Sequence, residues 1–318
     1  MTGARSIVFI DRPDWHARQL AAAFAKAGVE AVLLSLRHCG FTGTAGGARL
    51  RLPSFDDDDL PLGAFVRSIS AGSFEQVTLR LGVLHALRES GVLVYNDARA
   101  IERCVDKSMT SFMLQRGGVP TPPTWAVESP EAALAIVRAE ASPARPLVLK
   151  PLFGSQGRGL ALIESDADLP PADALAGVYY LQHFVGEGTG RWRDWRVFVA
   201  GGQAVAAMLR HGVTWKTNAA QGAACEAVEP DGQMSALAVA AAAAVGAGFA
   251  GVDIIRDASG QLLVLEVNSN PAWSALQRVT SRPIAEALVA DFLSRAAAPV
   301  EAARDAPLDA NAASSTGR

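Results

Sequence analysis

Residues 251–271 read GVDIIRDASGQLLVLEVNSNP, and the fold is decided here. Two apolar runs, 250–256 and 261–268, flank the four-residue turn Asp257-Ala258-Ser259-Gly260, the pattern of a β-hairpin. Asp253, Glu266 and Asn268 stand inside those apolar strands. Glu266 and Asn268 are two apart, so both side chains leave one face of the strand. The hairpin lays Asp253 alongside them. Unpaired charge buried in apolar strands is costly. A structural hydrogen-bond network could meet that cost. So could a metal site, for which Asp, Glu and Asn oxygens suit Mg²⁺. The convergence of three such residues on one hairpin favours the metal.

Just upstream, Gly232 to Val252 carries no charge over 21 residues, enough length to span a bilayer. Ala and Gly dominate it, so its hydrophobicity is weak. It reads as a buried helix over 233–247 that runs into the strand at 250. A second hairpin precedes it, with strands 193–200 and 203–210 turning at Gly201-Gly202. Asp194 and Arg196 share one strand face, Arg210 ends the return strand, and Lys216-Thr217-Asn218 follow. Arginines so placed either hold a phosphate oxygen or form a surface ion pair.

Further upstream, Lys150 ends the strand 146–150 and GSQGRG follows at 154–159. Three glycines in six residues let backbone amides approach a phosphate, and the lysine adds a point charge. The bland alternative is a glycine-rich hairpin turn. The loop has no GK[ST], and its glycine order does not fit a dinucleotide fingerprint. Strands 160–164 and 178–184 (VYYLQHF) come next. The second ends at Gln182, His183, Phe184 and Val185, which could cover a flat base. Histidines such as His183 and His211 are more often structural than catalytic. A helix over 106–116 stops at Gly117-Gly118. Prolines at 120, 122 and 123 force an extended segment, and Ser129-Pro130-Glu131 starts another helix.

The N-terminal third reads as strand 6–10, helix 16–27, strand 29–36, strand 63–69, a helix capped at Ser73, and strand 92–95. This β-α-β opening predicts a parallel sheet. It has no GxGxxG, which argues against a nicotinamide or flavin site. FDDDD at 55–59 reads as a solvated loop. A last helix runs from Ser281 to Arg295. The divisions fall at 1–103, 104–185 and 186–296. The tail 297–318 is too poor in large apolar residues to order itself.

Composition sets limits. The 318 residues are 50% hydrophobic with net charge −3, so no global basic field recruits nucleic acid or an anionic membrane. The N-terminus is not a signal peptide. Cys39, Cys104 and Cys225 have no zinc or disulfide spacing, which suggests a reducing, cytoplasmic setting. The only lysines are Lys26, Lys107, Lys150 and Lys216, although Lys and Arg together number 29; a chain that so rarely uses Lys keeps one where an ammonium is useful. The six tryptophans read as core or pocket residues. No nucleophile or zinc-protease motif occurs.

Lys107, Lys150 before GSQGRG, QHFV, DWRVFV, Arg210 with Thr217-Asn218, GVDII and LEVNSNP occur in the order of the ATP-grasp superfamily. The chain resembles its RimK-type α-L-glutamate ligase branch over roughly 100–295. The resemblance implies mixed α/β and α+β architecture. A Rossmann-like pre-ATP-grasp domain (1–103) would precede a lid lobe (104–185) and a large lobe carrying the metal site (186–296). By resemblance, Lys107 and Lys150 contact the α- and β-phosphates of ATP, and Gly154, Ser155, Gln156, Gly157 and Gly159 close over them. Gln182, Phe184 and Val185 hold adenine, with His183 on the same strand end. Glu187 or Asp194 holds the ribose, and Arg196 belongs to the nucleotide site. Asp253, Glu266 and Asn268 ligate two Mg²⁺, for which Mn²⁺ can substitute. Arg210 and Asn218 orient the acyl phosphate and the acceptor.

Three features depart from the family: His183 replaces a frequent acidic residue, GEGTGRWR before Asp194 is long, and AAQGA follows Asn218 in place of a basic, glycine-rich stretch. The implied reaction is phosphorylation of a carboxylate by ATP, then attack by the amine of an amino acid, glutamate. The acceptor would be a coenzyme tail, a small molecule or a protein carboxylate. A small-molecule kinase and a nucleotide-binding regulator without turnover are the alternatives. A homo-oligomer is the default for a soluble enzyme.

Overall fold

The structure, a computed structural model, describes residues 4–45, 47–56, 59–154, 157–186, 192–217 and 222–297. Ser155, Gln156, Glu187, Asn218 and the tail from 298 lie outside the described residues.

The first segment contains β1 (Arg5–Phe9), α1 (Trp15–Lys26), β2 (Glu30–Leu34), β3 (Gly40–Thr44), β4 (Gly47–Arg51), β5 (Gly63–Val66), α2 (Phe74–Glu89) and β6 (Leu93–Tyr95). Four of these strands form a parallel sheet in the order β2-β1-β5-β6. The helices start where local chemistry starts them: Asp14 accepts from Ala17 N at 2.8 Å, and Ser73 and Gln76 form a capping box. The β3–β4 hairpin was not expected. Its sequence, GFTGTAGGARLR, lacks the apolar alternation that marks a half-buried strand.

Two helices follow, α3 (Ala98–Val105) and α4 (Lys107–Arg116), with Asp106 capping the second through Ser108 N and Met109 N. The division drawn after residue 103 falls inside α3. The second segment has β7 (Thr124–Val127), α5 (Pro130–Glu140), β8 (Leu147–Lys150), β9 (Ala161–Ile163) and β10 (Tyr179–His183). Its antiparallel sheet runs β7-β10-β8-β9.

The third segment has β11 (Trp192–Ala200), β12 (Gln203–Gly212), β13 (Ala224–Val228), α6 (Gly232–Val245), β14 (Phe249–Arg256), β15 (Leu262–Asn268), α7 (Ser274–Val279) and α8 (Ile284–Ala297). Both expected hairpins are present in a five-stranded antiparallel sheet, β13-β12-β11-β14-β15. The uncharged stretch is α6, capped by Asp231 and ended by Gly246 at φ +77°, with an alanine face buried on the sheet. Among the described residues no helix is long and apolar enough to cross a membrane. The last helix starts at Ile284 rather than Ser281.

One core joins the first and third segments. Leu20, Phe24 and Phe65 pack with Phe198, Phe249, Trp273 and Phe292. Asn96 locks the end of β6 to the third segment. Its Nδ2 donates to Phe249 O at 2.7 Å and Ser269 O at 2.6 Å, and its Oδ1 accepts from Gly248 N at 2.7 Å. The second segment has its own small core around Val137, Leu149 and Tyr179.

Candidate active site

A cleft opens between the β8–β10 sheet and the five-stranded sheet. Lys107, Lys150, Gly154, Gly157, Gln182, Phe184, Val185, Asp194, Arg210, Asp253 and Glu266 all line it. Lys107 and Lys150 thus share one space with Asp253 and Glu266.

Lys107 opens α4, where the Asp106 cap fixes it. Its Nζ donates to Gly154 O at 2.8 Å and Leu152 O at 3.4 Å, tying it to the glycine loop. Lys150 ends β8 and donates to Gln182 Oε1 at 2.6 Å from the paired strand β10. Gln182 is buried, and its Nε2 has no hydrogen-bond partner, an unmet donor that a ligand acceptor could satisfy. Burial, aided by the Lys107 ammonium, pulls Lys150 down to about 8 against the opposing pull of Glu266 and Asp253. Burial also lowers Lys107.

In the glycine loop, Gly159 has φ +71°, and a Cβ there would sit 2.8 Å from Pro151 Cγ, so the turn needs glycine. Phe184 meets Trp192 and Trp215 edge-on, each ring centre 5.9 Å away. His183 lines the cleft, but its ring is engaged elsewhere. Nε2 lies 3.2 Å from Glu140 and Nδ1 3.3 Å from Arg145. Its side chain is structural, and its backbone N–H donates to Pro123 O at 3.0 Å.

The acidic wall is built by strand register. Asp253 pairs with Glu266 across β14–β15, and Arg196 pairs with Asp253 across β11–β14. Arg196 holds Asp253 with both ends of its fork, at 2.7 and 2.6 Å. Arg210 reaches Asp253 at 3.1 Å and makes a two-point pair with Asp194. Asp194, Arg210 and Asp253 are each at most 4% exposed. This buried alternation of charge replaces the surface ion pair considered above. Asp194, named with Glu187 for the ribose, lines the cleft with both oxygens engaged by Arg210. Burial opposes the charge on Arg210, but Asp253 and Asp194 more than offset it and raise its pKa. Burial opposes ionisation of Asp253 as well, yet Arg196 and Arg210 keep it below the usual range.

Glu266 differs. No lysine or arginine lies within ion-pair distance of it among the described residues. Burial and the nearby Asp253 carboxylate push its pKa up, against the pull of Lys107 and Lys150. Asn268, with its amide turned to satisfy both ends, donates to Glu266 Oε1 at 3.0 Å and accepts from Arg196 Nη2 at 3.3 Å. Among the described residues no three His, Cys, Asp or Glu side chains cluster as a metal cage. The donor set is two carboxylates and an amide, which fits a cation that takes its other ligands from water and phosphate. The under-compensated Glu266 is the observation that favours such a cation.

Lys216 was assigned no role by the sequence, yet it lines the cleft. It packs 5.2 Å from the Trp215 ring centre, and its Nζ donates to Leu160 O at 3.1 Å. The scarcity of lysine in the chain was the available signal.

A family model described as the RimK-like ATP-grasp domain matches residues 104–292. A tetrahydromethanopterin:α-L-glutamate ligase of Methanococcus maripaludis is 36% identical over 73% of this chain and 79% of its own length. A probable α-L-glutamate ligase of Teredinibacter turnerae is 29% identical over 90% of this chain and 93% of its own. Among solved structures, the ATP-grasp ligase PsnB with a minimal precursor superposes with TM-score 0.69 at 22% identity, over 92% of this chain and all of that one. A RimK domain ATP-grasp protein from Sphaerobacter thermophilus gives 0.65 at 22% identity, over 91% of this chain and 99% of that one. At that identity the likeness concerns the fold.

Proposed function

The chain belongs to the RimK-like ATP-grasp family and is a ligase, and we propose that it uses MgATP to join the amine of L-glutamate to a carboxylate through an acyl phosphate. The observation that carries this reading is the facing of Lys107 and Lys150 against Asp253 and Glu266 across one cleft. That arrangement suits a polyphosphate whose charge is shared between ammonium groups and a cation.

In this reading Lys107 and Lys150 bind the α- and β-phosphates, and the 154–159 loop covers them. Gln182 offers its free Nε2 to adenine, Phe184 and Val185 supply apolar cover, and Glu187 or Asp194 holds the ribose. Asp253, Glu266 and Asn268 would hold two Mg²⁺, or Mn²⁺ in their place, and Asp253 must loosen its hold on Arg196 for that. The metal, when bound, neutralises charge developing on the phosphate oxygens. Arg210 and Asn218 orient the transferred phosphoryl group and the acceptor.

A carboxylate oxygen attacks the γ-phosphorus, the bond to the β,γ-bridging oxygen breaks, and ADP leaves. The glutamate amine then attacks the acyl carbon and loses a proton as phosphate departs. The lid lobe must exclude water, because water would hydrolyse the acyl phosphate. A coenzyme tail is the favoured acceptor, and a pterin such as the one named for the Methanococcus relative is a candidate.

The test is mass spectrometry of metabolite extract incubated with the protein, MgATP and isotope-labelled glutamate. The account expects a product one labelled glutamyl unit heavier, with ADP and phosphate released in step. A stable phosphorylated product without glutamate would indicate a kinase. AMP with pyrophosphate would rule out the acyl phosphate.

A further inference from the structure

Arg67 lies outside the cleft described so far and is short of partners. It follows β5 directly, at the carboxyl end of the parallel sheet, and is only 9% exposed. Its Nε is buried without a hydrogen-bond partner. Among the described residues its one side-chain hydrogen bond is a long one, Nη1 to Asn270 O at 3.3 Å. No carboxylate lies within ion-pair distance of it among the described residues. Asp14, the acid whose field reaches it, is already occupied: one oxygen caps α1 through Ala17 N at 2.8 Å, and the other meets His16 at 3.0 Å. The Trp273 ring lies 5.3 Å from the guanidinium carbon, and its own Nε1 is also buried without an acceptor. Two neighbouring donors are therefore buried with nothing to accept from them. A guanidinium in that state is expensive unless an anion completes it.

Its position says what that anion does. β1 lies between β2 and β5, so the chain reverses its direction of strand addition there, and open α/β sheets bind ligands in the crevice at that point, beyond the carboxyl ends. The carbonyl that Arg67 touches belongs to Asn270, two residues past Asn268 on the metal-side strand. The guanidinium thus ties the first segment to the chain just past Asn268, at the end of the strand that carries Glu266. The planar fork of arginine suits two-point recognition of a carboxylate.

We propose that Arg67 anchors a carboxylate that does not react, carried by the incoming amino acid or by the acceptor. The proposal rests on the ligase reading, since only that reading brings a second carboxylate into the cleft.

The test is calorimetric binding to the MgADP-loaded protein with two probes: L-glutamate, and N-acetyl-L-glutamate, whose blocked amine leaves it only an acceptor's role. Arg67→Met should bind one probe about 10- to 100-fold more weakly, with MgADP affinity within about twofold of wild type. The affected probe identifies the source of the carboxylate. The ligand-free variant should melt no lower than wild type, because an uncompensated buried charge has been removed. If Arg67→Met does not fold, Arg67→Lys keeps the charge, loses the fork, and should show the same selective loss. Unchanged binding of both probes overturns the proposal, as does failure of wild type to bind either. So does a lower melting temperature with binding retained, which would make Arg67 purely structural. If wild type fails to bind MgADP, the ligase reading falls. The same comparison on nucleotide-free protein would then still decide for or against the anchor.

Discussion

Lys150 ends an apolar strand where its charge is held down, and that has a measurable consequence. Its free-protein pKa of about 8 lies below the ordinary lysine value, while bound phosphates demand the charged form. Between about pH 8 and 10 nucleotide binding must therefore take up a proton, and affinity should fall as pH rises through 8. Calorimetry in two buffers of different ionisation heat should show proton uptake near pH 9 that is absent near pH 6.5 and falls by close to one proton in Lys150→Met. The stability sign is opposite. The folded pKa lies below the unfolded one, so the unfolded chain binds more protons, and ligand-free stability gains from this group as pH rises from about 8 to 10.5. Glu266→Gln should cut turnover by about 10²- to 10³-fold while leaving the melting temperature equal or higher, since a carboxylate disfavoured by burial is removed; retained turnover would refute its assignment. At this scale the sequence spoke clearly for acids, because Asp253 and Glu266 interrupt apolar strands. It singled out Arg210 at the end of its strand but missed Arg67, which looks like an ordinary surface residue until tertiary contacts bury it.

The β14–β15 hairpin was legible because a four-residue turn separates two apolar runs, and strand alternation then places Asp253 opposite Glu266. Three helices with side-chain caps were equally plain, started by Ser73, Asp106 and Ser129, whereas α3, capped by Asp97, was not expected. Elements without such signals were missed. β3–β4 is polar and glycine-rich, β13 is a five-residue edge strand, and α7 has only six residues and no side-chain cap. α8 shows how an element ties the segments together. Phe292 meets Phe24, Phe65 and Tyr95 at 5.2, 6.2 and 6.0 Å between ring centres, and Gly63 leaves room for its ring. Phe292→Ala should cost about 3–5 kcal/mol in denaturant unfolding. A loss below about 1 kcal/mol would show that α8 is not part of the shared core.

For the whole molecule, the order of motifs along the chain was readable, but their meeting was not. Lys107 belongs to α4, Lys150 to the β8–β10 sheet, and Asp253 and Glu266 to the large sheet. Only the packing of three segments brings them to one cleft. The first and third segments, with their shared core, make one side of that cleft, and the second segment, with its separate core, makes the other. The central claim is that a triphosphate lies between them. An acyl-phosphate derivative of ATP, which transfers its acyl group to a lysine beside the bound phosphates, tests this in a chain with four lysines. Peptide mapping should place the label on Lys107 and Lys150, and excess MgATP should suppress it. Label on Lys26 or Lys216 with Lys107 and Lys150 untouched, or labelling indifferent to MgATP, would contradict the account.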